Sequence, residues 1–295
     1  MLHSSRLIHC LLVGILCAFG ADSAGAQDFP VKPIRLVVAN TPGSSPDLIA
    51  RIIGPEMSRT LGQPIIVENR PGADQLIGLE YVAKQAPADG YTTLVVAVPG
   101  LSLLPVTVKE LRFDPLKDLP PVAGLVDGKL IFGSPSNAPW KTFNEFVAYA
   151  KANPSKLNYG SSSAYVRLLS ETLYRGLGVN IVHIPYSGAG PTYKALIAGE
   201  VQLGIVGESA LPTFGDKFRA LAVTGESRLS YLRDVPMFAE LGFPQMSGQN
   251  FSLNVRAGTP KAAFDKLYAA TLQALRKPEV KESLAKIQFE VFSDN

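Results

Sequence analysis

Apolar, β-branched runs alternate with amphipathic segments along almost the whole chain, and this alternation constrains the fold more than any single motif. Helical signals stand between the runs, such as the capping box that begins at Thr142 and the proline that follows Thr259. This alternation is typical of parallel strands joined by crossover helices, and it predicts an α/β fold with mostly parallel sheets. The predicted strands cover residues 34–39, 65–68, 92–98, 130–133, 157–159, 181–184, 202–206, 220–224 and 252–255.

Two stretches, residues 34–51 and 157–171, share one build. In each, an apolar strand runs into a turn of glycine and serine that opens a helix. The free N–H groups and the dipole of a helix start attract anions. Two such turns in a chain with few catalytic side chains favour a binding protein that closes on a negatively charged small molecule from opposite sides.

The first residues have the layout of a signal peptide. Arg6 precedes an apolar run over residues 7–20, and Ala24, Gly25 and Ala26 offer small residues for cleavage. The run is shorter than the roughly 20 residues that a membrane span needs, which argues against the alternative of an uncleaved anchor. We therefore expect residues 1–26 to be a leader that is cleaved near Ala26 and directs the protein to the periplasm.

Little catalytic chemistry remains beyond that leader. Cys10, Cys17, His3 and His9 all lie within it, so the remaining chain has no thiol and only His183 as a histidine. The formal net charge of +3 is mild, and the basic residues are scattered, which argues against nucleic acid or a membrane surface as the main partner.

Enzyme motifs are incomplete. The nearest match to a nucleophile elbow, residues 207–211, lacks the closing glycine, and His183 lies in the middle of a predicted strand. A dinucleotide fingerprint at residues 188–193 lacks its third glycine, and no carboxylates show a metal-loop spacing. The sequence predicts no catalytic residue, no metal site and no cofactor. A secreted hydrolase is the least favoured alternative.

Several segments carry a family likeness that extends over most of the chain: PVKPIRLVV (residues 30–38), LGQPIIVENRPGA (61–73), VAKQAPADGYT (82–92), FDPLKDLPPVAGLV (113–126), KLNYGSS (156–162), VHIPYSGAGPTYKALIAGEVQL (182–203), SALP (209–212), RALAVT (219–224) and RDVPMFAELGFP (233–244). In this order they resemble the Bug family, the extracytoplasmic solute receptors of tripartite tricarboxylate transporters.

The resemblance implies a two-lobed periplasmic binding protein of the Venus flytrap type, type II-like. Lobe 1 would comprise residues 27–125 and 225–295, and lobe 2 residues 126–224, with the two crossing segments as the hinge. A monomer would capture a small organic acid by hinge closure and deliver it to a membrane permease. A receptor that reports the ligand to a membrane signalling partner is the alternative.

The resemblance also implies the ligand contacts. In that family the ligand's carboxylate is held largely by backbone amides of the first strand-to-helix turn and of the corresponding turn in the second lobe. Helix capping is the alternative role of these residues, above all of Asp47. On this chain the first turn is Asn40, Thr41, Pro42, Gly43, Ser44, Ser45 and Asp47, and the second is Ser161, Ser162 and Ser163.

This chain departs from the family pattern beside both turns. Asp74 and Gln75 stand in a loop that is usually rich in glycine, and Arg167 stands where the family often has a histidine. Asp74 either points outward to solvent or meets an ammonium or hydroxyl group of the ligand. Arg167 is either a bidentate partner for a ligand carboxylate or a solvated helix residue. Tyr165, Tyr186 and Glu208 are weaker candidates for lining the cleft, since Tyr186 and Glu208 follow predicted strands at the edge where open α/β sheets bind ligands.

The resemblance further implies another strand and helix after the helix near residues 278–286. We accordingly expect either a truncated reading frame or a first lobe that is less stable than that of a longer relative.

Overall fold

The computed structural model describes residues 28–161, 163–225 and 227–292. The predicted leader, Ser162 and the last three residues lie outside this range. In chain order the strands are β1 (Ile34–Val38), β2 (Ile65–Asn69), β3 (Thr92–Ala97), β4 (Pro121–Gly128), β5 (Leu130–Pro135), β6 (Asn158–Ser161), β7 (Val182–Pro185), β8 (Leu203–Gly207), β9 (Phe218–Val223), β10 (Gln249–Val255) and β11 (Glu290–Val291). The α-helices are α1 (Ser45–Leu61), α2 (Leu76–Glu80), α3 (Val98–Thr107), α4 (Pro115–Asp118), α5 (Phe143–Ala152), α6 (Ala164–Leu177), α7 (Ala189–Ala198), α8 (Leu211–Phe214), α9 (Lys261–Arg276) and α10 (Pro278–Lys286).

The strands form two sheets, and each sheet is mixed. The first sheet has the order β11-β4-β10-β3-β1-β2, in which only the β1-β2 and β1-β3 pairs are parallel. The second has the order β7-β6-β8-β5-β9, in which β5 is antiparallel to both neighbours. The prediction of an α/β fold is confirmed, but the prediction of mostly parallel sheets is wrong. Strands that reach a sheet from the other lobe, such as β10, need no crossover helix and pair antiparallel.

The chain crosses between the sheets twice. Lys129 links β4 to β5, and the return runs from the end of β9 to Gln249 at the start of β10. The predicted boundary after Leu125 therefore falls inside β4. Residues 227–246, which were predicted to belong to lobe 1, pack on the second sheet, since Phe238, Phe243 and Met246 lie in its core. Their apolar side chains place this segment with the second lobe.

Each sheet is covered by apolar cores on both faces. In the first lobe, α1 buries Ile49, Ile53 and Met57 against one face of the sheet, with α9 and α10 packed alongside. In the second lobe, aromatic side chains around Phe132 and Trp140 fill the space under α5 and α6. Among the described residues, none of the helices is long and apolar enough to cross a membrane.

The two lobes touch in this structure. The Ser45 Oγ and Ser209 Oγ atoms lie 2.9 Å apart, one from each lobe. The Tyr165 hydroxyl of α6 lies 2.9 Å from the Gly248 carbonyl oxygen, at the return crossing. Helix α3 of the first lobe packs against α6 of the second. These contacts define a closed arrangement, with the turns after β1 and β6 on facing sides.

Candidate ligand-binding site

The first turn, between β1 and α1, is held from behind by Asp47. This side chain is 1% exposed and accepts hydrogen bonds from the Gly43 amide at 2.9 Å and from Asn69 Nδ2 at 2.9 Å. It also forms an ion pair with Arg51 at 3.0 Å. Burial alone would raise the pKa of Asp47, but the hydrogen bonds from Arg51, Gly43 and Asn69 outweigh it and hold the pKa below its usual value. Asp47 thus shapes the turn.

Ser44 is the N-cap of α1, yet its side chain makes no capping hydrogen bond. The residue is 2% exposed, and its hydroxyl has no hydrogen-bond partner among the described residues. The Thr41 hydroxyl in the same turn is also buried and unpartnered. A buried hydroxyl without a partner costs free energy, and the first amides of a helix have no acceptor within it. The first turn therefore has hydrogen-bond donors without an acceptor among the described residues: the Ser44 and Thr41 hydroxyls and the first amides of α1.

The second turn, between β6 and α6, is already satisfied by the protein. The Ser163 hydroxyl caps α6 by accepting a hydrogen bond from the Val166 amide at 3.3 Å. The Ala164 amide donates to the two carboxylate oxygens of Asp74 at 3.0 and 3.2 Å. Ser161 Oγ lies 2.7 Å from His183 Nε2. The donors at this helix start are thus largely in use.

Asp74 reaches the second lobe from a strained loop of the first. Ala73, Asp74 and Gln75 have φ values of 45°, 53° and 76°, which side chains other than glycine rarely adopt. Burial raises the pKa of Asp74, although the hydrogen bond from Ala164 opposes this effect. The Asp74 carboxylate therefore points across to α6 of the second lobe rather than away from the cleft. Its carboxylate takes the helix-start position that was predicted to bind a ligand carboxylate.

Two cavities lie side by side between the lobes. We call the smaller one the inner chamber; its volume is about 50 Å³. The larger one is the outer cleft, with a volume of about 700 Å³. Asn40, Gln75 and Ser163 line both cavities, and we call these three shared residues the neck. Of the other predicted residues, Ser44 and Ser45 line the inner chamber, and Asp74, Ser161, Arg167 and Tyr186 line the outer cleft.

Other predicted residues lie elsewhere. Thr41, Pro42, Gly43 and Asp47 belong to the first turn but line neither part of the site, and Ser162 lies outside the described residues.

The prediction that Glu208 lines the ligand site is wrong. Glu208 lines a different cavity, on the hinge side, together with Lys129. It is 4% exposed and accepts hydrogen bonds from the Tyr231 hydroxyl and from the Lys129 amide. Burial raises the pKa of this carboxyl. These partners fix Glu208 to the chain crossing rather than to the ligand site.

The inner chamber also contains residues that the sequence did not indicate. Tyr193 and Gln249 line it, and the Tyr193 hydroxyl accepts a hydrogen bond from the Gly207 amide at 3.2 Å. Gln249 begins β10, which returns from the second lobe, so no local motif marks it. Tyr165, a weaker candidate from the sequence, also lines the chamber, and its hydroxyl contacts the return crossing. No group of three or more metal-ligating side chains occurs within the described part of the chain.

A two-lobed fold with a polar chamber between the lobes defines a solute-binding protein of the periplasmic type. Residues 49–295 match the family model of the tripartite tricarboxylate transporter family receptor, and the chain belongs to this family. It is 38% identical over 276 residues to the UPF0065 protein in gbd 5'region of Cupriavidus necator, which covers 92% of this chain and 83% of that protein. The predicted family is thereby confirmed.

Solved structures agree with this assignment. The periplasmic binding protein BugD has a TM-score of 0.84 at 28% identity, covering 90% of both chains. MatC from Rhodopseudomonas palustris with bound malate has a TM-score of 0.83 at 30% identity, covering 89% of this chain and 91% of that chain. A second R. palustris protein, with adipate, has a TM-score of 0.83 at 30% identity, covering 90% of both chains. The predicted two-lobed α/β class is therefore confirmed.

Proposed function

We propose that this chain is a periplasmic receptor that captures a small carboxylate between its lobes and anchors the carboxylate at the first turn. The observation that carries this proposal is the buried, unpartnered hydroxyl of Ser44 at the start of α1, a helix of 17 residues. A carboxylate only accepts hydrogen bonds, so it can pair with this hydroxyl and with the free helix-start amides without a buried cation. Malate and adipate in the related structures support this ligand class.

Closure of the two lobes is the proposed mechanism of capture. One lobe is built on the first sheet, the other on the second, and the crossings at Lys129 and beside Gln249 act as the hinge. The Ser45–Ser209 hydrogen bond and the contact between Asp74 and Ala164 join the lobes around the chamber. A ligand that adds contacts to both lobes shifts the population toward the closed form.

Calorimetry and a thermal-shift screen test the proposal with mono-, di- and tricarboxylates and their neutral amides. A carboxylate at about a hundred times its Kd should add about 2.7 kcal/mol to the free energy of unfolding, and its amide should add nothing. If neutral or cationic solutes raise the Tm and no carboxylate does, anchoring of an anion at the first turn is wrong.

We also propose that the receptor, a monomer in the periplasm after cleavage near Ala26, delivers its ligand to a tripartite tricarboxylate-type permease. Membership of this receptor family supports delivery. Uptake of labelled ligand should be lost in cells without the receptor gene and restored by the wild-type gene. Unchanged uptake together with a lost transcriptional response to the ligand would instead identify a sensor.

A further inference from the structure

The inner chamber is too small to hold a whole solute. A cavity of about 15 Å³ accommodates one water molecule, so about 50 Å³ has room for a few atoms such as a carboxylate group. The outer cleft, at about 700 Å³, has the size of an ordinary ligand pocket. Since Asn40, Gln75 and Ser163 line both cavities, the far end of a ligand anchored at Ser44 would reach the outer cleft past these residues.

The charged groups that line the outer cleft differ in whether they already have partners within the protein. Its titratable and charged lining residues come from the loop before α2, from α6, from β7 and from the turn after β7: Asp74, Arg167, Glu171, Arg175, His183 and Tyr186. Asp74 already accepts hydrogen bonds from the Ala164 amide. Glu171 accepts a hydrogen bond from the Tyr159 hydroxyl at 2.6 Å and lies 3.9 Å from Arg175 Nε. Both carboxylates of the cleft are therefore engaged.

Arg167 also lines the cleft, and no carboxylate among the described residues forms a salt bridge with it. Its side chain is exposed and interacts with the Tyr159 hydroxyl. Burial, and then the charge of Arg167, lower the pKa of His183, and the opposing effect of Glu171 is smaller. The lowered pKa favours the neutral imidazole, and the charge of Arg167 contributes to this effect. An exposed guanidinium on the wall of the cleft can bind an anionic group with two parallel hydrogen bonds.

We infer that Arg167 is a specificity-determining residue: the outer cleft holds the far end of the ligand, and Arg167 selects ligands whose far end carries an anionic group. This inference rests on the proposed function, because the near end must be anchored at the first turn. The Ser44 hydroxyl and the free helix-start amides of the first turn recognise a carboxylate whatever is attached to it, so Arg167 provides the discrimination between ligands.

Matched ligand pairs test this inference by calorimetry: butyrate against succinate, pentanoate against glutarate, and hexanoate against adipate. We expect the wild-type protein to bind at least one dicarboxylate about tenfold or more tightly than its monocarboxylate partner. Arg167→Gln should reduce this ratio to about threefold or less and weaken the monocarboxylate little. Arg167→Lys, which keeps the charge without the planar fork, should restore part of the ratio.

Arg276→Gln is the matched control, because Arg276 is an exposed arginine in the last turn of α9, far from the cleft. It removes the same net charge and should leave the ratio as in the wild type. A ratio near one in the wild type, or equal weakening of both ligands by Arg167→Gln, would overturn the inference. If no carboxylate binds at all, the proposed function itself fails.

The imidazole of His183 gives a second readout that a purely structural role of Arg167 would not change. A second anion in the outer cleft should raise the pKa of His183 in an NMR titration, since it offsets the charge of Arg167. The monocarboxylate partner should leave this pKa nearly unchanged. Equal shifts with both ligands would contradict the placement of the far end beside Arg167.

Discussion

The turns after β1 and β6 have the same local build but different states. In the first, the N-cap hydroxyl of Ser44 is buried and unpartnered, and Asp47 supports the turn from behind. In the second, Ser163 caps its helix, and Asp74 accepts the hydrogen bond of the Ala164 amide. The two turns have similar sequences but leave different hydrogen-bond donors free for a ligand. This difference comes from contacts that other parts of the protein make with each turn.

This difference changes how the two lobes are expected to hold the ligand. The sequence predicted that both helix starts hold the ligand's carboxylate. In the structure, the Asp74 carboxylate of the protein accepts a hydrogen bond from the Ala164 amide at the second helix start, whereas the Ser44 hydroxyl at the first has no partner among the described residues. A ligand carboxylate placed at the Ala164 amide would be repelled by Asp74 at short range. The second lobe then acts on the ligand through closure and through Arg167.

The largest effect should come from removing the support of the first turn. Asp47→Asn replaces the acceptor of charge-assisted hydrogen bonds from Arg51 and Gly43, so the free energy of unfolding should fall by about 2 kcal/mol and ligand affinity should fall with it. Urea denaturation and calorimetry measure both. Asp265→Asn, in an exposed ion pair with Lys261, is the control and should cost less than about 0.5 kcal/mol. Equal losses of free energy of unfolding in the two variants would show that Asp47 does not support the first turn.

The same carboxylate gives a pH dependence with a definite sign. The pKa of Asp47 is lowered in the folded state, so its stabilisation is fully present above the unfolded value of about 3.9. It is lost as the pH falls through the lower folded pKa. Asp47→Asn should therefore be less stable than the wild type at neutral pH, and the gap should narrow in acid. A stability difference that stays constant with pH would show that the ionised Asp47 carboxylate is not its cause.

Two serine variants compare the turns directly. Ser44→Ala removes a hydroxyl that makes no cap, so affinity should fall about tenfold while the ligand-free protein keeps its stability. Ser163→Ala removes a helix cap, so stability should fall by about 1 kcal/mol while affinity changes less. Calorimetry and chemical denaturation of both variants separate the two effects. The reverse pattern would assign the anchor to the second turn.

A smaller effect should follow from breaking the contact between Asp74 and Ala164. Asp74→Gly removes the carboxylate and suits the left-handed backbone, so the closed form loses about 1 kcal/mol without added strain. Small-angle scattering of the ligand-free protein should show a larger radius of gyration. Ala73→Gly relaxes the same loop but keeps the carboxylate, and it should scatter like the wild type. Identical curves for the wild type and Asp74→Gly would show that this contact does not hold the lobes together.

Local features of the fold were predictable from the sequence, and long-range ones were not. Both strand–turn–helix units lie where the Gly/Ser turns indicated. Strand β4 escaped prediction because Pro120, Pro121 and Gly124 interrupt its apolar run, as prolines at an end and glycines inside a strand do. The direction of β10 depends on the return from the second lobe, which no residue on the strand encodes.

The candidate site shows the same limit. Asn40, Ser44 and Ser45 could be found because they sit in a recognisable turn. The partner of Asp74 is 90 residues away along the chain, and Gln249 enters the chamber from a returning strand. Glu208 follows β8 at the expected edge, but its carboxylate turns to the hinge side and meets Lys129. The position of a residue directly after a strand predicts that it lies at the edge of the sheet, but it does not predict the direction of its side chain.

The most direct test is a crystal structure of the protein with the carboxylate that raises its Tm most. We predict a carboxylate oxygen within about 3 Å of Ser44 Oγ, with Asp74 still bonded to the Ala164 amide. A carboxylate bound to the Ala164 amide, with Asp74 displaced and Ser44 left without a partner, would contradict the account.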